Sequence, residues 1–370
     1  MTSVSANRRR IIDLRSDTVT RPTAEMIEAM SRAELGDDFF RDDPTVLAFE
    51  EEVADLLGME AAMLVISGTM GNLVCALSLS PRGSSFIVEA SAHIQINESG
   101  WPSSIAGLTP KPVEGVAGRI GADALQRAIA EAKLRLSAPP RLLCLENTHN
   151  AAGGRITEPG HVAALADIAH ASGLKVHLDG ARIFNAAVAL GRPVGDFTQR
   201  TDTVTFCLSK GLGCPLGAVV VGSAGAIQEA RRWRQVVGGG MRQAGIIAAA
   251  GRFALSSMVE RLAMDHDNAK LLATRLRDAS LEVDVEAVET NIVFAGVPSD
   301  FDYDSFQSEL RASGIVTMPP KAGRIRLVTH REVSASDIVF ASDMIAKTFD
   351  LAKRQTRSAQ AHSAAPNAVY

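Results

Sequence analysis

Lys210 follows a β-branched and aromatic run, Thr203-Val204-Thr205-Phe206-Cys207. Three glycines and a proline lie within the next seven residues, Gly211-Leu212-Gly213-Cys214-Pro215-Leu216-Gly217. The run predicts a buried strand and the glycines a tight turn, so the lysine stands at a strand end. Apolar surroundings at the strand end can lower an ammonium pKa, and a free amine is what Schiff-base chemistry requires. Taken alone, a lysine there is more often a solvated surface residue. Asp179 ends a second apolar run, Leu174-Lys175-Val176-His177-Leu178, and could pair with a protonated ring nitrogen or merely cap the helix beginning at Ile183. Ser67-Gly68-Thr69 lies between an apolar run and a helical stretch, a place for a phosphate or simply a helix cap. His93, after a fourth run, could stack on a ring or move protons, or line a core edge. An amine, an acid and a phosphate turn together describe the partners of pyridoxal phosphate, and the set is more specific than any member.

The elements that must position these residues alternate. Strands are predicted at 61–66, 85–88, 141–145, 174–178, 202–208 and 218–221, with helices at 46–57, 70–79, 122–136, 161–171 and from 183. Such alternation predicts an α/β three-layer sandwich, with a mostly parallel central sheet between helices. The polar motifs fall at C-terminal strand ends, where open α/β sheets bind ligands. After Gly238-Gly239-Gly240, a long helical stretch over 243–279, strand-like segments at 282–295 and 325–329, and helices at 301–313 and 334–353 predict a small C-terminal α+β domain. The expected division is a disordered 1–10, a large domain over 11–250, a small domain over 251–353 and a flexible tail over 354–370.

The bulk numbers set limits. With 370 residues, two cores are expected. The net charge of -4 gives no support for nucleic-acid binding. No apolar run reaches a membrane span and the N-terminus is not a secretory signal, so the expectation is a cytoplasmic protein. Cys75, Cys144, Cys207 and Cys214 favour free thiols over disulfides or zinc, and no metal site is expected.

Longer motifs then become recognisable. Ile12-Asp13-Leu14-Arg15-Ser16-Asp17-Thr18-Val19-Thr20-Arg21-Pro22, Glu146-Asn147-Thr148-His149-Asn150, Asp179-Gly180-Ala181-Arg182-Ile183-Phe184-Asn185-Ala186, Ser209-Lys210-Gly211-Leu212-Gly213, Gly238-Gly239-Gly240-Met241-Arg242-Gln243 and Arg326-Leu327-Val328-Thr329-His330 resemble those of the low-specificity L-threonine aldolases. These are pyridoxal-phosphate enzymes of the aspartate-aminotransferase-like fold, fold type I. The resemblance spans about residues 11 to 352. It implies that Lys210 is the Schiff-base lysine, Asp179 the acid on the pyridine nitrogen, His93 the stacking histidine, and Gly68 and Thr69 the phosphate turn. Ser16, Arg182 and Arg326 match residues on the substrate carboxylate. Arg242 matches an arginine near the phosphate, often reaching across a subunit boundary. A homo-oligomer, a dimer of dimers, is implied. The implied reaction cleaves a β-hydroxy-α-amino acid to glycine and an aldehyde, with His93 as base and His149 as second candidate. The alternatives are a β-eliminating lyase or transaldolase on another β-substituted amino acid, and a non-catalytic relative. Phe40, Arg41, Met70, Gly71 and the stretch Ile94-Gln95-Ile96-Asn97-Glu98 depart from the family pattern and leave the aldehyde side open.

Overall fold

The computed structural model describes residues 10–133, 137–297 and 301–363, with side chains to residue 352. The chain divides into two compact units, Thr20–Ala263 and Met1–Val19 with Met264–Tyr370. The expected division instead places residues 11–19 with the large domain and the break near 250. Residues 1–9 of the expected N-terminal arm and 364–370 of the expected tail lie outside the described residues. Residues 354–363, expected in that tail, continue the helix Ala335–Ser363.

The larger unit is built on seven strands: β1 (Ala61–Val65), β2 (Ser85–Glu89), β3 (Thr109–Val113), β4 (Pro140–Glu146), β5 (Lys175–Asp179), β6 (Thr203–Cys207) and β7 (Ala218–Gly222). Their order is β1-β7-β6-β5-β4-β2-β3. Only β7 runs antiparallel to its neighbours. Buried on both faces, the central strands are near-continuously apolar, as parallel strands must be. Period-two alternation sorts their residues between two cores. Leu64, Ile87, Leu143, Val176, Leu178, Val204, Phe206, Val219 and Val221 join one. Met63, Val65, Val220 and Ala218, with Phe86, Val88, Leu142 and Cys144, join cores on the opposite side. On β5 this places His177 and Asp179 on the face opposite Val176 and Leu178, towards the helix Gly68–Leu79.

That helix lies close to the sheet because it carries glycines. A Cβ on Gly71 would stand 2.5 Å from Cγ2 of Thr205, and one on Gly68 would stand 2.7 Å from Sγ of Cys207. Three departures from the predicted elements have local causes. Thr109-Pro110-Lys111-Pro112-Val113 forms β3 despite two prolines, because it is an edge strand with one neighbour to bond. The helix Ala224–Val236 lies outside the predicted elements, since charged residues interrupt its apolar pattern and one of its three buried positions is Arg234. The predicted helix over 243–279 is two helices, Gly245–Ser257 and Leu262–Asp278.

The smaller unit is α+β. Ile12–Asp13 pairs in parallel with Ile315–Val316, and Arg324–Val328 pairs antiparallel with Ile292–Gly296. Leu14, Leu272, Leu276, Phe306, Leu310, Ile325, Leu327, Ile338 and Ile345 fill its core. Only the last residues of the predicted 282–295 strand form it, with Glu282 in an isolated bridge. Among the described residues no helix is long and apolar enough to cross a membrane. All four cysteines are buried and none forms a disulfide.

The helix–sheet spacing is testable. Gly71→Ala forces a methyl into the stiff side chain of Thr205, and overpacking of this kind costs about 1–3 kcal/mol. Urea unfolding of Gly71→Ala should show a midpoint lowered accordingly, whereas Gly225→Ala, which meets nothing within 4 Å, should not.

Candidate active site

Five polar segments lie beyond the C-terminal ends of parallel strands in the larger unit, at the same edge of its sheet. Asp179 closes β5 and is 2% exposed. It lies opposite Glu146 on β4 and Thr205 on β6. Its Oδ2 accepts from Nδ2 of Asn72 at 3.0 Å and its Oδ1 from the Ala181 amide at 3.1 Å. Among the described residues it has no ion pair. A buried carboxylate normally requires a cationic or strong hydrogen-bonding partner.

Lys210 sits in the turn that follows β6. The Leu208 amide bonds the Gly217 carbonyl, the Cys214 amide bonds the Leu208 carbonyl, and Gly213 takes φ of 79°. The Lys210 carbonyl is held by the Gly213 amide at 2.9 Å and the Thr20 hydroxyl at 2.8 Å. The backbone is therefore pinned, while the half-buried side-chain amine has no ion-pair partner among the described residues. Ser67 caps the helix Gly68–Leu79 by accepting from the Met70 amide at 3.2 Å. Gly68 and Thr69 form its first turn, where amides are unpaired and the dipole is positive.

His93 opens the short helix His93–Ile96 after β2. Its backbone amide donates to Oε2 of Glu146 at 2.6 Å, and its Nδ1 meets Oε1 of Glu98 at 2.8 Å. The hydrogen bond to Glu98 raises its pKa against the opposing effect of burial, with Asp179 adding to the rise. Glu98 is fixed in turn by the indole N–H of Trp101 and by Nδ2 of Asn72 at 2.9 Å. His93, Glu98 and Asp179 each bring a polar atom within 4.8 Å of the others.

His149 occupies a different environment. It is 1% exposed, with Nε2 2.9 Å from Oε2 of Glu89 and Nδ1 accepting from the Ala152 amide at 3.3 Å. A Cβ on Gly118 would collide with its ring, so the covering loop is closed on it. Burial alone would lower its pKa, but Glu146 and Glu89 outweigh that and raise it. Burial disfavours the charge on Glu89, yet hydrogen bonds from His149 and Ser91 bring its pKa down to about 2. Burial raises that of Glu146.

The larger unit thus brings together Lys210, Asp179, His93, Gly68, Thr69 and Arg182, all at one sheet edge. Arg182, 6% exposed, donates to Oδ1 of Asn150 at 3.3 Å. Arg242 stands on the surface, paired with Asp37 at 3.1 Å and lying over the ring of Phe39. Ser16 and Arg326 belong to the smaller unit, where Arg326 donates to the Arg15 carbonyl at 3.2 Å and Ser16 accepts from Thr18. Sequence reasoning overlooked Asn72, Glu98 and His177. The one available signal was the alternation along β5, which sets His177 on the same face as Asp179.

A group carrying a protonated ring nitrogen, a carbonyl and an anion fits these residues. Asp179 offers a buried carboxyl group with no ion pair among the described residues, Lys210 an amine on fixed backbone, and the Gly68 turn a closely packed helix N-terminus. The comparisons agree with that chemistry. A family model of the beta-eliminating lyases matches residues 13–299. The chain is 43% identical over 335 residues to low-specificity L-threonine aldolase 1 of Arabidopsis thaliana, covering 89% of this chain and 94% of that one. It is 41% identical over 329 residues to the low specificity L-threonine aldolase of Escherichia coli K12, covering 89% and 96%. The solved threonine aldolase of Leishmania major superposes with a TM-score of 0.76 at 17% identity, covering 93% of this chain and 99% of that one, which establishes likeness of fold.

The pair of Glu89 and His149 makes stability depend on pH. The lowered carboxyl contributes above its ordinary value near 4.5 and loses that contribution as pH falls towards 2. The raised imidazole contributes fully below about 6.5 and is lost as pH rises through its folded value. Glu89→Gln should therefore lower the thermal midpoint more at pH 6 than at pH 9. A difference independent of pH would reject the ion pair.

Proposed function

The chain belongs to the beta-eliminating lyase family and stands among its low-specificity L-threonine aldolases, and from that premise we infer how its site works. It is a carbon–carbon lyase of the fold type I class with pyridoxal 5'-phosphate as cofactor. It cleaves L-threonine, L-allo-threonine or a related β-hydroxy-α-amino acid to glycine and an aldehyde. The observation that carries this reading is the buried Asp179 carboxylate, with no ion pair among the described residues, one strand away from the Lys210 turn.

When bound, the cofactor supplies an electron sink for the bond between Cα and Cβ. The roles of this chain's residues follow from charge. Asp179 keeps a proton on the ring nitrogen, and its burial strengthens that interaction. Lys210 provides the amine that holds the cofactor carbonyl carbon. Gly68 and Thr69 offer amides to the phosphate. Arg182 orients the substrate carboxylate with the fork geometry lysine lacks. The motifs of Ser16 and Arg326 support a role for each in holding a substrate carboxylate. His93 covers the ring and takes the β-hydroxyl proton, directly or through water. The closed environment of His149 supports a positioning role for it, holding Glu89 and Glu146 beside the His93 backbone. The exposure of Arg242 supports contact with an anion on a second copy, within a dimer of dimers. Four buried reduced thiols suit the cytoplasm.

Product analysis tests the reaction. Purified protein should release glycine and aldehyde in equal amounts, whereas pyruvate and ammonia would assign it β-elimination instead. Lys210→Ala should abolish both turnover and the visible absorbance of the bound cofactor. The His93 role carries a sign. A base acts when deprotonated, so activity falls as pH drops through its raised pKa. Glu98→Gln removes the main cause of that rise and should move the acid limb of the kcat profile to lower pH. An unmoved limb would assign the base elsewhere.

A further inference from the structure

Asn72 stands on the second turn of the helix Gly68–Leu79, 2% exposed, and its amide meets three buried partners. Nδ2 lies 2.9 Å from Oε1 of Glu98 and 3.0 Å from Oδ2 of Asp179. Oδ1 lies 3.0 Å from Nε2 of His177. The other ring nitrogen of His177, Nδ1, lies 2.9 Å from the hydroxyl of Thr203.

With both carboxylates ionised, these distances leave one proton arrangement for the amide. Ionised carboxylates only accept, so the amide must turn its NH2 to Glu98 and Asp179. Its oxygen then faces His177 and requires a donor there. His177 is fully buried, and burial lowers its pKa to about 4, so near pH 7 the ring is neutral and holds a single proton. That proton belongs on Nε2, leaving Nδ1 to accept from Thr203. Hydrogen bonds thus run in one direction, from Thr203 to His177 to Asn72, and divide there between the two carboxylates.

We propose that Asn72, oriented by His177, is the positioning residue that lets Asp179 and Glu98 remain ionised side by side. This rests on the reading that Asp179 holds the ring proton and Glu98 holds His93. Two carboxylates with oxygens within 4.8 Å of one another repel when both are charged. One N–H to each offsets that repulsion. The resulting pair of charges serves different tasks: one faces the cofactor, the other sets the basicity of His93. Asn72 acts through the two carboxylates it bonds. The other titratable groups around the pair are His93, Glu146, His149 and the thiols of Cys75 and Cys144.

The test measures the pyridoxal phosphate dissociation constant against pH for the wild type, Asn72→Leu, His177→Leu and His177→Gln. Nitrogen-15 spectra of the histidine rings are recorded on the holoenzyme. In the wild type the His177 ring should be neutral with its proton on Nε2. Asn72→Leu removes both N–H donors, so the repulsion between the two carboxylates is no longer offset. Its dissociation constant should rise roughly tenfold or more at pH 7. The loss of affinity on acidification should begin at higher pH than in the wild type. His177→Leu should follow it, and His177→Gln, which can still donate to the Asn72 oxygen, should recover most of the affinity. If Asn72→Leu fails to fold, the two His177 variants carry the same comparison. A folded Asn72→Leu with unchanged dissociation constants at every pH overturns the proposal. So does a loss of thermal stability with no displacement of the pH profile, or a His177 proton on Nδ1. A wild type that takes up no pyridoxal phosphate overturns the cofactor reading instead, while the His177 spectrum still judges the hydrogen-bond chain.

Discussion

Keeping a carboxylate charged in an apolar sheet is the constraint on which this site depends. Asp179 is almost wholly removed from water, and an ionised group there is costly unless its oxygens are occupied. The fold meets the constraint with geometry. A parallel strand delivers the residue to the sheet edge, and period two turns it towards the glycine-bearing helix. Close approach of that helix brings an amide to hydrogen-bonding distance. A bulkier residue at position 71 would push the helix away, and with it the donor that Asp179 requires.

Two histidine–glutamate pairs beside the same strand ends show how surroundings divide labour. His149 and Glu89 are closed in, with both ring nitrogens engaged and a glycine loop against the ring. His93 and Glu98 have nearly the same separation, yet the side chain of His93 is 32% exposed while Glu98 is 1% exposed. A buried acid below a partly open imidazole suits proton transfer, whereas a fully enclosed pair suits holding neighbouring backbone. Glu146 joins the two, accepting from the His93 amide with one oxygen and from the Asn150 amide with the other.

Much of this was legible in the sequence, and the limits have physical causes. Lys210 and Asp179 announced themselves because each ends an apolar run, a signal local to the chain. The alternation of strands and helices followed from periodicity over short windows. The parallel pairing of Ile12–Asp13 with Ile315–Val316 joins residues some three hundred positions apart, and nothing local marks it. It is why the start of the chain belongs with the later unit. Asn72 and His177 escaped for the same reason. An asparagine inside a helix and a histidine inside a strand look like minor irregularities until the two elements face each other. The prolines of β3 obscured an edge strand, since a strand with one partner can spare the missing N–H groups.

The four cysteines have a practical corollary. Burial pushes the thiols of Cys75 and Cys214 up to about 12 and that of Cys144 well above its ordinary value, and Cys207 is packed against the Gly68 turn. Thiol-directed reagents act on accessible thiolates, so the folded chain offers them almost nothing. A single cysteine introduced at an exposed position such as Val116 would therefore accept a fluorophore or a surface tether selectively, with no need to strip the native sulfurs first.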